Sequence, residues 1–176
     1  MSARLLFTVA VLAVASLGAS PGRADPPAGN PLDVVPPKMP FDVPYGAPIP
    51  LARAEKLINA AVAEAKSHDW KLNVAVVDSG GNLVAFQRMD GAQLGSIQVS
   101  QHKARAAVMY RRETKAFESA IQEKQAYYVM TLDGIIGSRG GIPIVEDGRI
   151  VGAIGCSGGT GSQDEVACKA GLATLK

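Results

Sequence analysis

The chain has 176 residues, with 18 lysines and arginines against 16 aspartates and glutamates, and 47% of its residues are apolar. This balance excludes a disordered chain and a coiled coil, and the length allows one domain of ordinary size. A formal charge of +2 leaves no electrostatic footprint for nucleic acid.

Residues 1–24 read as a secretory signal peptide. Arg4 precedes the apolar run Leu5 to Ala15, which is too short to span a bilayer comfortably, and Gly22-Arg23-Ala24 places small residues before a cleavage point at Asp25. Cleavage there removes two arginines and no acids, so the mature chain is neutral, with 16 basic and 16 acidic residues. No second apolar run is long enough to cross a membrane. The mature protein is expected to be periplasmic or secreted, with no membrane insertion after signal removal.

Residues 25–50 carry nine of the eleven prolines. Proline fixes φ and donates no backbone hydrogen bond, so this stretch is an extended arm. Met39, Phe41, Val43 and Tyr45 give it apolar side chains that can lie along a surface of the same subunit or of a neighbour. A loose spacer and an ordered strap both fit the composition.

The domain follows at 51–176. Leu51, Ala54, Leu57, Ile58, Ala61, Val62 and Ala65 recur at helical spacing and predict a helix over 51–67. A strand over 72–78, a turn at Ser79-Gly80-Gly81-Asn82 and a strand over 83–89 form a hairpin. Helices are predicted at 95–110 and 114–125, and an extra short strand at 127–132. A second hairpin, 142–145 and 150–154, turns at Glu146-Asp147-Gly148. The last helix is expected to start at Ser162, with Ser162-x-x-Glu165 as a capping box. Hairpins make the sheet antiparallel and the interspersed helices cover it, so the fold class is an α+β sandwich, not a doubly wound dinucleotide fold.

Most familiar motifs fail. Residues 134–161 hold ten glycines but no phosphate-loop or dinucleotide fingerprint. Gly158, Gly159 and Gly161 precede a helix and remain a candidate anion loop. Gly155-Cys156-Ser157-Gly158-Gly159 matches a nucleophile elbow, but no histidine lies beyond His102, so a serine hydrolase is excluded by chain order. Two histidines without metal spacing give no zinc site. Cys156 and Cys168 form a disulfide, stay as two buried thiols, or leave Cys156 reactive.

The richest polar segment is 100–115. On a helix, Gln98, His102, Arg105 and Met109 share one face, while Ile97, Ala104 and Val108 share another that should face the sheet. Lys103, Arg105, Arg111, Arg112 and Lys115 outnumber Glu113 within 101–115. An imidazole, a thioether and several cations suit a metal-bearing anionic ligand. A solvated face with an idle histidine is the plain alternative.

Several stretches together resemble the GlcG/HbpS family of haem-binding proteins, which includes the C-terminal domain of the PduO corrinoid adenosyltransferase and is sometimes labelled haem-degrading. They are Val74 to Val84, Arg88-Met89-Asp90-Gly91, His102-Lys103-Ala104-Arg105-Ala106-Ala107, Thr114-Lys115, Gly140 to Ile144, Gly152 to Gly159 and Gln163-Asp164-Glu165. The likeness runs in register through nearly all of 51–176. It implies a profilin-like α/β/α sandwich with a five-stranded antiparallel sheet, a homo-oligomer that is often an octamer, and tetrapyrrole binding near subunit surfaces. A histidine is the iron ligand in some members and a threonine after the central helix in another. By resemblance, His102 is the metal ligand candidate and Thr114 its alternative, with Arg105, Met109, Arg111 and Arg112 as further haem contacts. A cobalamin-like tetrapyrrole is the alternative cofactor.

The sequence thus points to an exported protein for haem storage, sensing or transfer, more a binding protein than an enzyme. Two other classes stay open. One is an accessory protein or enzyme acting on a small anionic metabolite, with loop 155–161 and Arg139 as its pocket. The other is an oligomeric interaction module strapped by the proline arm. No catalytic pair is evident, since Asp78, Asp90 and Asp133 fall at turns.

Overall fold

The computed structural model describes residues 34–175. The signal peptide expected at 1–24 and the first residues of the expected arm lie outside them. Helix α1 spans Leu51–Ser67 and buries Ala54, Leu57, Ile58, Ala61, Val62 and Ala65, the stripe that the helical period marks. Strands β1 (Asn73–Asp78) and β2 (Leu83–Arg88) form the first hairpin. Asp78 fixes its turn, because one carboxylate accepts the backbone N–H of Gly80 at 2.8 Å and of Asn82 at 2.9 Å. Helix α2 (Gly95–Met109) and the short helix α3 (Lys115–Gln122) follow. Strands β3 (Gly141–Glu146) and β4 (Arg149–Ser157) make the second hairpin. Its turn residues Asp147 and Gly148 both have positive φ, as a two-residue primed turn requires. Helix α4 spans Gly161–Leu172.

The sheet has four strands in the order β2-β1-β4-β3, all antiparallel. Alternation sorts their side chains. Val74, Val76, Ile154 and Cys156 face α1 and α4, while Val77 and Ala153 face α2. The result is a sandwich with two helices on one face and α2 on the other. Gly155 sets how closely α2 approaches: a Cβ there would lie 2.1 Å from the backbone oxygen of Ser100.

Three expectations change. Among the described residues the sheet has four strands rather than five, and 127–132 forms a 3₁₀ turn, Tyr127–Thr131, not a strand. In place of a fifth strand, part of the arm lies along β4 beyond the end of β1. Ile150 N–H donates to Pro44 O at 2.8 Å, Gly46 N–H to Ile150 O at 2.8 Å and Ile49 N–H to Val151 O at 2.9 Å. Pro44 and Pro48 lack donors, so the pairing stays a single parallel bridge at Tyr45 and Ile150. Finally, the capping box of α4 is Thr160 with Gln163, two residues before the expected one. Glu165 is instead drawn inward to Lys115, Arg139 and Lys169.

Cys156 and Cys168 are joined by a disulfide and both are fully buried. The bond ties the end of the central strand β4 to α4.

Candidate functional site on helix α2

The face of α2 turned away from the sheet carries His102, Arg105 and Met109, all exposed. The stripe turned toward the sheet consists of Ser96, Ser100, Lys103, Ala104, Ala107 and Val108, with Ile97 only half-buried. Beside the outer face runs a groove of about 250 Å³, lined by Arg105, Ala106, Met109, Tyr110, Asp133 and Gly134. Two contacts shape it. Arg105 Nε donates to Gly81 O at 3.2 Å, which holds the β1–β2 turn against the helix. Tyr110 Oη donates to Asp133 O at 2.6 Å, which holds the opposite wall.

His102 lies one turn above Ala106 and has no hydrogen-bond partner among the described residues. Its ring nitrogens are therefore open to an incoming ligand. Met109 is 57% exposed. It stands seven residues from His102, about 10 Å along the axis, so the two cannot flank one metal ion from the same helix. The 3₁₀ segment before Asp133 adds exposed apolar groups in Tyr127, Tyr128, Met130 and Leu132.

The other sequence candidates are engaged elsewhere. Thr114 is fully buried, and its Oγ1 accepts the N–H of Gly141 at 3.0 Å while its own N–H donates to Gly141 O at 2.9 Å. This threonine pins α3 to β3 and offers no surface ligand in this conformation. Arg111 pairs with Asp42 at 3.6 Å and Arg112 lies under the Phe41 ring, so the arm covers both. Tyr45 Oη adds hydrogen bonds of 3.0 Å to the carbonyls of Val108 and Met109.

The glycine loop is also filled from within. Asp164, 2% exposed, accepts the N–H of Gly159 at 3.1 Å and forms an ion pair of 2.7 Å with Lys103, itself 1% exposed. Burial drives the Asp164 carboxyl above its ordinary value, against the opposing pull of Lys103 and the glycine amides. The anion that the loop holds is thus a side chain of the same chain. A Cβ on Gly158 would strike Lys71 O at 2.3 Å, so this glycine serves close backbone approach. Gly161 faces Arg139, whose guanidinium binds Glu118 through Nε at 2.7 Å and reaches Glu165 at 3.5 Å. Hydrogen bonds from Arg139 hold the Glu118 carboxyl below its ordinary value despite burial. The metabolite pocket expected at Arg139 and 155–161 is therefore an internal ion-pair network, and Gly155, Cys156 and Ser157 belong to β4.

Spacing alone missed Lys103 as a core residue and the walls at Gly81, Tyr110 and Asp133. Lys103 does fall on the sheet-facing stripe, seven residues after Ser96 and three after Ser100, and that position was the available signal. Among the described residues, no three His, Cys, Asp or Glu side chains converge on a metal position, and no helix is long and apolar enough to cross a membrane.

The fold and its helix face define a class of small α/β/α proteins whose outer helix presents a lone imidazole beside cationic and apolar groups. Residues 49–173 match the family described as haem degrading protein HbpS-like, and the chain belongs to that family. It is similar to GlcG of Escherichia coli (strain K12), 41% identical over 104 residues that span 59% of this chain and 77% of that protein. A crystal structure of a Streptomyces reticuli HbpS double mutant matches with 30% identity and a TM-score of 0.69, covering 85% of this chain and 99% of that one. The crystal structure of a PduOC:heme complex matches with 25% identity and a TM-score of 0.66, covering 72% of this chain and 94% of that one.

Proposed function

We propose that this chain is an exported haem-binding protein that stores, senses or passes on haem, with its site on the outer face of α2. The observation that carries the reading is the exposed, unpartnered imidazole of His102 one turn above the groove of Arg105 and Met109. These groups fit a haem. His102 supplies a nitrogen ligand, Arg105 a cation for a propionate, and Met109 and Tyr110 apolar contact for the ring edge. Bound haem would supply iron-centred redox and ligand chemistry there. The chain's own part is to hold the imidazole on a rigid helix and to pair the carboxylates.

Family membership and the likeness to a haem complex support this reading. The signal-peptide pattern of 1–24 supports export. The exposed residues Tyr127, Tyr128 and Met130, in the segment that precedes the groove residue Asp133, suit burial between copies in a homo-oligomer, which would cover the open groove.

Titrating the purified mature protein with haemin tests the function. A shifted Soret band with saturable, one-per-chain binding is expected, and its loss in His102→Ala identifies the ligand. No shift for the wild type refutes haem binding, whereas an unchanged shift in the variant refutes only the role of His102. Cobalamin in a parallel titration separates the alternative tetrapyrrole.

A further inference from the structure

The cations at the C-terminal end of α2 are covered by an unusual pair of neighbours. The Phe41 ring lies 3.4 Å from Arg112 Cζ, face on, and the carboxylate of Asp42 sits 3.6 Å from Arg111 Nη1. An aromatic plane on one guanidinium and a carboxylate on the next is the pattern that the edge of a porphyrin carboxylate presents. The receptor adjoins the groove, because Arg112 Nε donates to the carbonyl of Tyr110, a groove residue.

The covering groups are exposed and one is strained. Phe41 has φ of 61°, a left-handed conformation that bulky residues rarely adopt. Phe41 is 39% exposed, and the Asp42 side chain is 66% exposed. Beyond it the arm is anchored at Pro44, Gly46 and Ile49 on β4. Val43, next to Asp42, packs against the core between the sheet and α2, and its carbonyl lies 3.5 Å from Arg111 Nη1, so displacement is confined to Phe41 and the Asp42 side chain while the chain from Val43 onward stays in place.

We propose that Arg111 and Arg112 form a receptor for a flat aromatic carboxylate, a tetrapyrrole with its propionates, and that Phe41 and Asp42 occupy it as an internal stand-in displaced on binding. This deepens the haem reading and rests on it. It makes the arm a competitor that lowers affinity and returns when the ligand leaves.

The test uses the mature chain and metal-free protoporphyrin IX, which removes iron ligation from the readout. Phe41→Gly/Asp42→Asn removes both mimicking groups while tolerating the positive φ, and is expected to bind about tenfold tighter than wild type, the sum of one exposed cation–π contact and one surface ion pair. Adding Arg111→Asn is expected to cancel most of that gain, which a general loosening of the fold would not do. Phe41→Leu, which keeps an apolar cover without stacking, is expected to fall between. In the wild type, the ring-proton NMR signals of Phe41 are expected to move toward those of a solvated phenylalanine when the porphyrin binds. Equal affinity of wild type and double variant, or Phe41 signals that stay fixed during saturating binding, overturns the stand-in and leaves haem binding intact. Absence of porphyrin and haemin binding in every variant overturns the haem reading, and the stand-in with it.

Discussion

Replacing Lys103 by methionine is expected to destabilise the protein by about 3–5 kcal/mol, the usual cost of removing one partner from a buried ion pair. Lys103 and Asp164 are both almost fully buried and meet at 2.7 Å. At an effective dielectric constant near 20, two unit charges at that distance attract by about 6 kcal/mol. Desolvating each ion costs several kcal/mol, so the intact pair adds little net stability. Breaking it is different, because methionine leaves the carboxylate buried with the Gly159 N–H and no counter-charge. The sign of the pH dependence follows. Asp164 already titrates above its ordinary value in the folded state because burial dominates. Losing Lys103 removes an opposing influence and raises it further. A carboxyl raised on folding costs stability as pH climbs through the interval between its unfolded and folded values, so acidification relieves the variant. Urea unfolding at pH 7.5 and pH 5, with the disulfide intact, is the assay. The variant is expected to regain part of its deficit relative to wild type at the lower pH. The double variant Lys103→Met/Asp164→Asn is expected to recover at least half of the loss. A single-variant cost under about 1 kcal/mol, or strictly additive costs in the double variant, would show that the pair is not the buried unit described here.

Glu118→Gln is expected to flatten the acid limb of the stability profile. The folded pKa of Glu118 is depressed by Arg139, so its contribution is complete above the ordinary glutamate value and is lost as pH falls through the lower folded value. Melting curves between pH 3 and 6 read this, and an unchanged acid limb counts against the Glu118–Arg139 bond. Cys156→Ala/Cys168→Ala is expected to cost about 2–4 kcal/mol in chemical denaturation, since a closed loop of this length restrains the unfolded chain by roughly that amount. Equal midpoints for the two proteins would refute it.

The elements that bury one regular stripe are legible in the sequence alone. Helix α1 has its predicted limits, and the hairpins around Asp78 and Gly148 follow from turn chemistry that only nearby residues decide. Legibility fails where the deciding partner is far along the chain. Thr160 with Gln163 and Ser162 with Glu165 are equivalent caps locally. The choice falls to three cations, Lys115, Arg139 and Lys169, two of which lie on other segments. The segment 127–132 has strand-forming side chains but meets no free ladder, and Tyr127, Tyr128 and Met130 stay exposed. The prolines marked the arm as extended, yet nothing local says that the Tyr45 hydroxyl meets carbonyls 63 and 64 residues away. For the site, the face of His102, Arg105 and Met109 was visible in the helical period. The withdrawal of Thr114 and the glycine loop into internal contacts was not, nor was the ion pair of Lys103 with Asp164, 61 residues away.

The link between Cys156 and Cys168 also constrains how the molecule is assembled. Both sulfurs are sealed from solvent, and the two cysteines are only 12 positions apart. An oxidant reaches them only while α4 is off the sheet, so the bond closes either before the core does or during a local opening of α4. Short loops close at little entropic cost, which makes β4 and α4 natural first partners. A chain that folds in a reducing compartment would complete the same sandwich around two thiols, and their later oxidation would wait for α4 to open. The rate of that opening then sets how quickly a reduced preparation would convert to the bridged form.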